Sequence, residues 1–289
     1  MNASDSGGRP RSGLLIVELW TGAARLLART WPLQAVAYLI ALVSSAVVIL
    51  IFGAMIGAVG ESVGSTDEGI VVLLVTLLVM WTAVHAAAAP YLGVTAAVTD
   101  DMTRGRTVSW SRVVADVLPK IGALVVYLLV QAVAVAALSW LILLIGIAAG
   151  TAETVIVAMV VGVPAGVVMV ILFDLGPWVI VCEGRSAPRA IRRSFQLAGR
   201  SFWRIVGLHL AWMVVVGPLL IIGDSVGGFG QFVLFAFLIA VVVPFFFSFL
   251  GVLYGDLRAQ EEGSRLSIDF PQPVLKATDA AVAFGRTTS

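Results

Sequence analysis

The sequence predicts an all-α polytopic membrane protein: six transmembrane helices paired as three hairpins, with amphipathic helices at the cytoplasmic interface. Three observations carry this prediction. Of 289 residues, 60% are hydrophobic and only 12% are charged, whereas soluble domains run at about 25% charged. Six windows contain no Asp, Glu, Lys or Arg: residues 32–60, 69–99, 121–152, 154–173, 205–223 and 225–255. The connections between these windows alternate sharply in charge.

Each window is read as a membrane-crossing helix. A hydrocarbon core of roughly 30 Å takes about 20 helical residues, and the fourth window reaches Cys182 if the single acid Asp174 is admitted. Backbone polar groups in lipid must be bonded internally, which leaves helices or a closed barrel. The runs are continuously apolar and do not alternate, which excludes a barrel. The connections at 60–69, 149–154 and 223–230 hold Glu61, Asp67, Glu68, Glu153 and Asp224 and no basic residue. All 18 basic residues lie in the N-terminal segment, at 100–120, at 183–204 or in the C-terminal tail. Basic residues near spans stay on the cytoplasmic side, so both termini are expected inside a bacterial inner membrane. About thirty residues with Glu18, Arg25 and Arg29 precede the first window, unlike a cleavable signal. The expected division is a cytoplasmic segment over 1–31 with an interfacial helix, a six-helix domain over 32–258, and a flexible cytoplasmic tail over 259–289.

The six windows fall into three copies of one unit: an interfacial helix, a span out, a short acidic turn and a span back. The interfacial helices are expected at 12–30, 107–118 and 186–200, starting near Ser12, Thr107 or Ser109, and Ser186. Trp110, Val113, Val114 and Val117 share a helical face, as do Ala187, Ile191, Phe195 and Ala198. Such faces suit acyl chains, with arginines among headgroups. Each returning span carries proline before an aromatic residue: Pro90-Tyr91, Pro177-Trp178 and Pro244-Phe245. Proline removes a backbone donor, so Pro90, Pro177 and Pro244 are expected helix breaks. Gly105-Arg106-Thr107 and Gly184-Arg185-Ser186 follow the first two. The copies point the same way, as in a parallel repeat about the membrane normal.

The segment EGRSAPRAIRRSFQLAGRSFWRIVGL at 183–208, LYGDLRAQEEG at 253–263 and IVELWTGAARLLARTW at 16–31 resemble the glycerophosphoryl diester phosphodiesterase membrane domain family, common in actinobacteria. The resemblance spans about residues 12–263. It implies a membrane module and no phosphodiesterase activity, because a catalytic barrel takes about 250 residues and only the short tail follows the last window. It carries over no catalytic residue, and Ala259-Gln260 stand where a second basic residue is common in the family.

Asp174 is the most informative residue, since intramembrane acids are rare and face a cavity or a partner. It lies roughly 12 Å from the inner end of its span at 1.5 Å per residue. Helix rise puts Gln131 and His209 in the same inner half, with His85 just above. The four form a candidate polar cluster, suited to a proton relay or a small polar ligand; the plainer reading is that each ties helices together. Arg185, Arg189, Arg192, Arg193, Arg200 and Arg204 are candidate contacts to anionic lipid, or simply hold the loop inside.

Catalytic signatures fail on inspection. Gly60-Glu61-Ser62-Val63-Gly64 matches G-x-S-x-G, but it occupies an outer turn between spans and no outer loop holds a histidine. Ser62 lacks the following glycine of rhomboid proteases, the Pro-Ser-Gly-His run of lipid phosphatases is missing, and Asp256 lacks the Gly-x-Gly of an intramembrane aspartyl partner for Asp174. Gly53-x-x-x-Gly57 and Gly162-x-x-x-Gly166 suit close helix packing. One cysteine, Cys182, excludes an internal disulfide and a cysteine-built metal site. A net charge of +1 gives no pull toward nucleic acid. No cofactor or metal is expected. The sequence therefore reads as a non-catalytic integral membrane module that scaffolds, regulates or associates with lipid. Its partners would be membrane lipids and possibly another membrane protein. The alternative is a small-solute or lipid transporter that uses the inner-half polar cluster.

Overall fold

The computed structural model describes residues 16–63, 67–226, 228 and 238–263. These form helices α1 (Ile16–Val63), α2 (Asp67–Ala87), α3 (Ala89–Thr103), α4 (Trp110–Val117), α5 (Ile121–Ala148), α6 (Ala152–Phe173), α7 (Gly176–Glu183), α8 (Ala187–Arg200), α9 (Phe202–Val226) and α10 (Val243–Glu261). A 3-10 turn at Leu118–Lys120 joins α4 to α5, and a π-turn at Leu238–Val242 leads into α10. No strand occurs among the described residues. Five stretches are long and apolar enough to cross a bilayer: Val17–Gly57, Val75–Thr103, Trp110–Gly146, Ile156–Glu183 and Phe202–Leu219. Their outward faces are themselves apolar, with Leu50, Val160 and Val214 about 70% exposed. A contiguous apolar exterior of this extent belongs to a membrane-embedded protein. Part of the sixth window lies outside the described residues, as do Ser12 and the tail from residue 264.

The N-terminal segment departs from expectation. Of the helix expected over 12–30, residues 16–30 are described and form no separate helix; α1 runs unbroken from Ile16 to Val63, 48 residues with Pro32 inside it, about 72 Å long. One stripe explains the continuity. Leu19, Ala23, Leu26, Thr30, Leu33, Ala37 and Ala41 recur every three or four residues and are all buried. Helix α1 packs on α3 and α10, with Trp20 on Phe245 before Pro32 and Gln34 on Ser248 and Tyr38 on Tyr91 after it, so tertiary burial carries the helix through the missing donor. The short helices α4 and α8 behave similarly. Val113 and Val117 on α4, and Ala187, Ala190, Ser194, Leu197 and Ala198 on α8, are buried within the protein. The apolar faces assigned from sequence to acyl chains therefore lie mostly on the protein's own core; Val114 alone of the four named on α4 is 46% exposed.

The second halves of the returning segments form the centre. A new helix begins at each of Pro90, Pro177 and Pro244, with the proline in its first turn, where the missing N–H would have had no helical partner. Helices α3, α7 and α10 then pack together, with α1 and α5 around them. Gly251 is where they approach closest: a Cβ there would meet Thr99 Oγ1 of α3 at 2.5 Å and Trp178 Nε1 of α7 at 2.9 Å. Gly105 and Gly184 end α3 and α7 with φ of 67° and 66°, left-handed values that other residues adopt at a cost. The two small-residue pairs separate in role. Gly162 and Gly166 admit Ile142 and Ser139 of α5, whereas Gly53 and Gly57 face no neighbour within 4 Å.

Gly251→Val is expected to destabilise the protein by about 2–3 kcal/mol through overpacking, and Gly53→Val by less than about 0.5 kcal/mol. Thermal unfolding of the two variants in one mild detergent checks the contrast; equal unfolding temperatures would remove Gly251 as the point of closest approach.

Candidate functional site

The break between α6 and α7 places Asp174. Helix α6 stops at Phe173, and Asp174 and Leu175 turn the chain before Gly176-Pro177 start α7. Pro177 withholds one donor, and the turn deprives the last α6 carbonyls of helical partners. In lipid such groups must find partners within the protein. The Tyr127 hydroxyl of α5 donates to Phe173 O at 2.5 Å, and the Ser194 hydroxyl of α8 donates to Leu172 O at 2.7 Å. Gly176 makes room for the first of these, since a Cβ there would stand 1.8 Å from the Tyr127 ring. Lys120 similarly donates to Val181 O near the end of α7, at 2.6 Å.

Asp174 thereby lies in the lining of a half-open cavity of about 420 Å³ bordered by α1, α2, α3, α5, α6, α7 and the start of α10. Its wall is largely apolar and aromatic: Tyr38, Trp81, Tyr91, Trp178, Phe246 and Phe247. Asp174, His85, Gln131 and Ser45 are its other polar lining residues, and no Lys or Arg lines it among the described residues. His209, from α9, places Nε2 2.9 Å from Asp174 Oδ2. Its ring stands edge-on to Phe246, with centroids 5.3 Å apart. Of the four residues grouped from sequence, three thus line one cavity and the fourth bonds the carboxyl in its wall. No hydrogen bond joins His85 or Gln131 to Asp174 among the described residues; His85 Nδ1 lies 3.0 Å from Trp81 O and its ring lies against the Trp81 ring.

The pair has a defined proton inventory. His209 Nδ1 lies 2.9 Å from Ile205 O, and a carbonyl only accepts, so Nδ1 carries a proton. The Nε2–Oδ2 contact then needs one proton between its two atoms. The pair is either imidazolium with carboxylate or imidazole with carboxylic acid, and is neutral in both forms.

A second polar constellation lies at the C-terminal ends of α3, α7 and α10, each of which carries acids there. Asp100 meets Arg104 at 2.8 Å, Arg106 at 2.5 Å and Arg258 at 3.3 Å. Asp101 meets Arg106 at 2.8 Å. Glu183 holds Arg185 at 2.6 Å and Arg193 at 3.4 Å, and accepts from the Tyr254 hydroxyl at 3.0 Å. Glu261 pairs with Arg193 and Arg200, and Asp256 meets Arg204 at 2.7 Å. Burial opposes the Arg193 charge, but bonding to Glu261 and Glu183 outweighs it and holds the guanidinium above its ordinary range. Of the six arginines grouped as lipid contacts, Arg185, Arg193, Arg200 and Arg204 are thus paired with this chain's own carboxylates. Arg189 and Arg192 are exposed and make no ion pair among the described residues.

Sequence reasoning missed three sets of residues: the carbonyl caps Tyr127 and Ser194, the cavity aromatics Tyr38 and Trp81, and a buried chain at the α1–α10 contact. In that chain Ser248 donates to Gln34 at 3.2 Å, Gln34 to Thr30 at 2.8 Å and Thr30 to Leu26 O at 2.6 Å. One signal was available: Tyr127 precedes Gln131 by four residues and so shares its face. Outer acids Glu61, Asp67 and Glu68, and Ser62 of the G-x-S-x-G run, have side chains outside the described residues. Among the described residues no group of three His, Cys, Asp or Glu is placed to hold a metal. Comparison with protein-family models, curated proteins and solved structures gives no match.

Glu261→Gln strips the shared partner from Arg193 and Arg200. With partial exposure discounted, the loss is about 1–2 kcal/mol, lowering the unfolding temperature by roughly 3–6 °C. Arg189→Gln with Arg192→Gln is expected to shift it by less than about 1 °C. Unfolding followed by intrinsic fluorescence in uncharged detergent tests this; equal shifts would mean that the ion pairs do not hold the fold.

Proposed function

We propose that the chain is a non-catalytic, lipid-associated membrane module whose working part is the intramembrane cavity, and that it receives an amphipathic ligand there. The cavity is the observation that carries this reading. Its volume of about 420 Å³ falls within the range of small-molecule sites, and a few polar groups converge on an otherwise apolar wall. Cavities in helical membrane proteins that hold an ionisable residue mark ligand or ion pathways. Transport is the second reading. The proline-initiated helices α3, α7 and α10 all border the cavity, and interrupted helices beside a binding site suit alternating access.

Six crossings in three hairpins, with both termini cytoplasmic in a bacterial inner membrane, remain the topology proposed. The uncharged windows and the one-sided distribution of basic residues support it. Exposed Arg189, Arg192 and Trp203, the last 81% exposed, support a place for the outer face of α8 and the start of α9 at the headgroup level. The likeness to the glycerophosphoryl diester phosphodiesterase membrane domain family is proposed on its quoted segments. Those at 183–208 and 253–263 supply both sides of the Glu183, Asp256 and Glu261 contacts.

Two measurements test these readings. Reporter fusions within 183–204 are expected to face the cytoplasm and fusions at 149–154 the periplasm; the reverse would overturn the topology. Val135 lines the cavity, and Val135→Trp is expected to fill it. Native mass spectrometry of protein purified in mild detergent should show an adduct of one amphiphile on wild type, reduced at least fivefold in the variant. No adduct on wild type, or equal retention, would overturn the binding reading.

A further inference from the structure

The wall that admits an amphiphile also selects its charge. Among the described residues the cavity lining holds one acid, Asp174, and neither lysine nor arginine, so an anionic head would find no fixed counter-charge there. Aromatic side chains line much of the space. Trp81 is 46% exposed and packs against His85 with ring centroids 4.1 Å apart, and Tyr38, Trp178, Phe246 and Phe247 also line the space. Aromatic faces attract cations through their quadrupole, most strongly where water is excluded. Asp174, its side chain 8% exposed, is the lone acid among them in the described residues, and its Oδ2 lies 2.9 Å from His209 Nε2.

We propose that the cavity binds a lipophilic organic monocation in exchange for the proton shared by Asp174 and His209. This rests on the reading of the cavity as an amphiphile site and adds the ligand's chemical class. Charge balances in the step. The empty pair is neutral with its one proton between Nε2 and Oδ2. On binding, that proton leaves to water, the pair becomes an imidazole beside a carboxylate, and the cation takes up the carboxylate's charge. One positive charge enters, one leaves, and the membrane interior carries no net charge before or after. No covalent bond forms besides those to the transferred proton. The other titratable groups facing the cavity are His85, Tyr38 and Tyr91, with Tyr127 adjoining from α5, where its hydroxyl is committed to Phe173 O. His85 Nδ1 is engaged by Trp81 O, and His85 has no carboxylate partner among the described residues.

The test uses the full chain in uncharged detergent micelles and two probes of nearly the same shape. Methyltriphenylphosphonium carries the charge; triphenylphosphine oxide does not. Binding is followed by equilibrium dialysis, and proton release by an indicator dye in weak buffer. The phosphonium is expected to bind at least tenfold more tightly than the oxide, with about one proton released per cation and none for the oxide. Asp174→Asn should abolish the preference and the proton release while leaving oxide binding within about twofold. Trp81→Leu, at a half-exposed position, should lower the preference for the cation over the oxide about fivefold, corresponding to a cation–π contribution of about 1 kcal/mol, beyond any loss of wall contact that both probes share. If Asp174→Asn does not fold, the Trp81 variant and wild-type proton release still decide. Equal binding of both probes, or cation binding without proton release, would overturn the exchange and leave the amphiphile site standing. Binding of neither probe would remove both.

Discussion

No backbone polar group can be left bare in lipid, and the arrangement of this protein's centre follows from that constraint. Three helices restart at proline within the apolar core, and each restart interrupts a ladder of hydrogen bonds. At the α6–α7 break the missing partners come from outside the broken helix: Tyr127 reaches Phe173 O and Ser194 reaches Leu172 O. Gly176 is small because the Tyr127 ring fills the place of a side chain there. The freed carbonyls are therefore occupied and do not supply ligand groups. What the break leaves available is the side chain at the turn, Asp174, lying in the cavity lining and bonded to His209. The break, its caps and the candidate site are thus one construction.

The C-terminal ends of α3, α7 and α10 meet a different requirement. Acids and arginines brought close to lipid are tolerated when they neutralise one another, and Asp100, Asp101, Glu183, Asp256 and Glu261 all do so with nearby arginines. Several of these pairs join distant parts of the chain, such as Arg200 with Glu261 and Arg258 with Asp100. A buried pair contributes little net free energy, but removal of one partner is costly because it leaves a charge uncompensated. The pairs therefore act as register marks that fix α8 and α9 against α3, α7 and α10. They also narrow the basic surface left for lipid to the exposed pair Arg189 and Arg192.

Much of the fold was legible in the sequence because bilayer physics acts on composition. A run of about 20 uncharged residues has few other uses, and a proline in such a run is visible without any structure. The four polar residues grouped by helix rise also fall around one cavity, because depth in a bilayer is a one-dimensional coordinate that residue counting recovers. Azimuth is not recoverable in this way. Counting could not show that Asp174 meets His209 while His85 turns to Trp81, nor that Tyr127 and Ser194 cap the break. The N-terminal segment misled for a related reason. Arg25, Arg29 and Pro32 mimic the end of an interfacial helix, yet the buried stripe from Leu19 to Ala41 passes straight through them. That stripe is apolar with respect to protein, and composition does not separate such a face from one apolar with respect to lipid.

The distinction between a structural tie and a working site turns on how the Asp174–His209 pair is satisfied. A tie needs its groups bonded to each other and sealed by packing, as in the Ser248–Gln34–Thr30 chain, where all three residues are at 0% exposure. The Asp174 carboxyl is bonded by His209 yet also forms part of the wall of an open space. A fold that needed only a tie would gain from closing that space, because packing to native density stabilises and an unfilled cavity costs stability. The rings around it pack against one another, Tyr38 on Tyr91 and Tyr91 on Phe247, and leave the space unfilled. A neutral, proton-sharing pair is also the least costly way to keep a carboxyl in an apolar wall, since it carries no net charge until something arrives to stabilise one. The space and the pair together are better suited to a guest than to the fold alone.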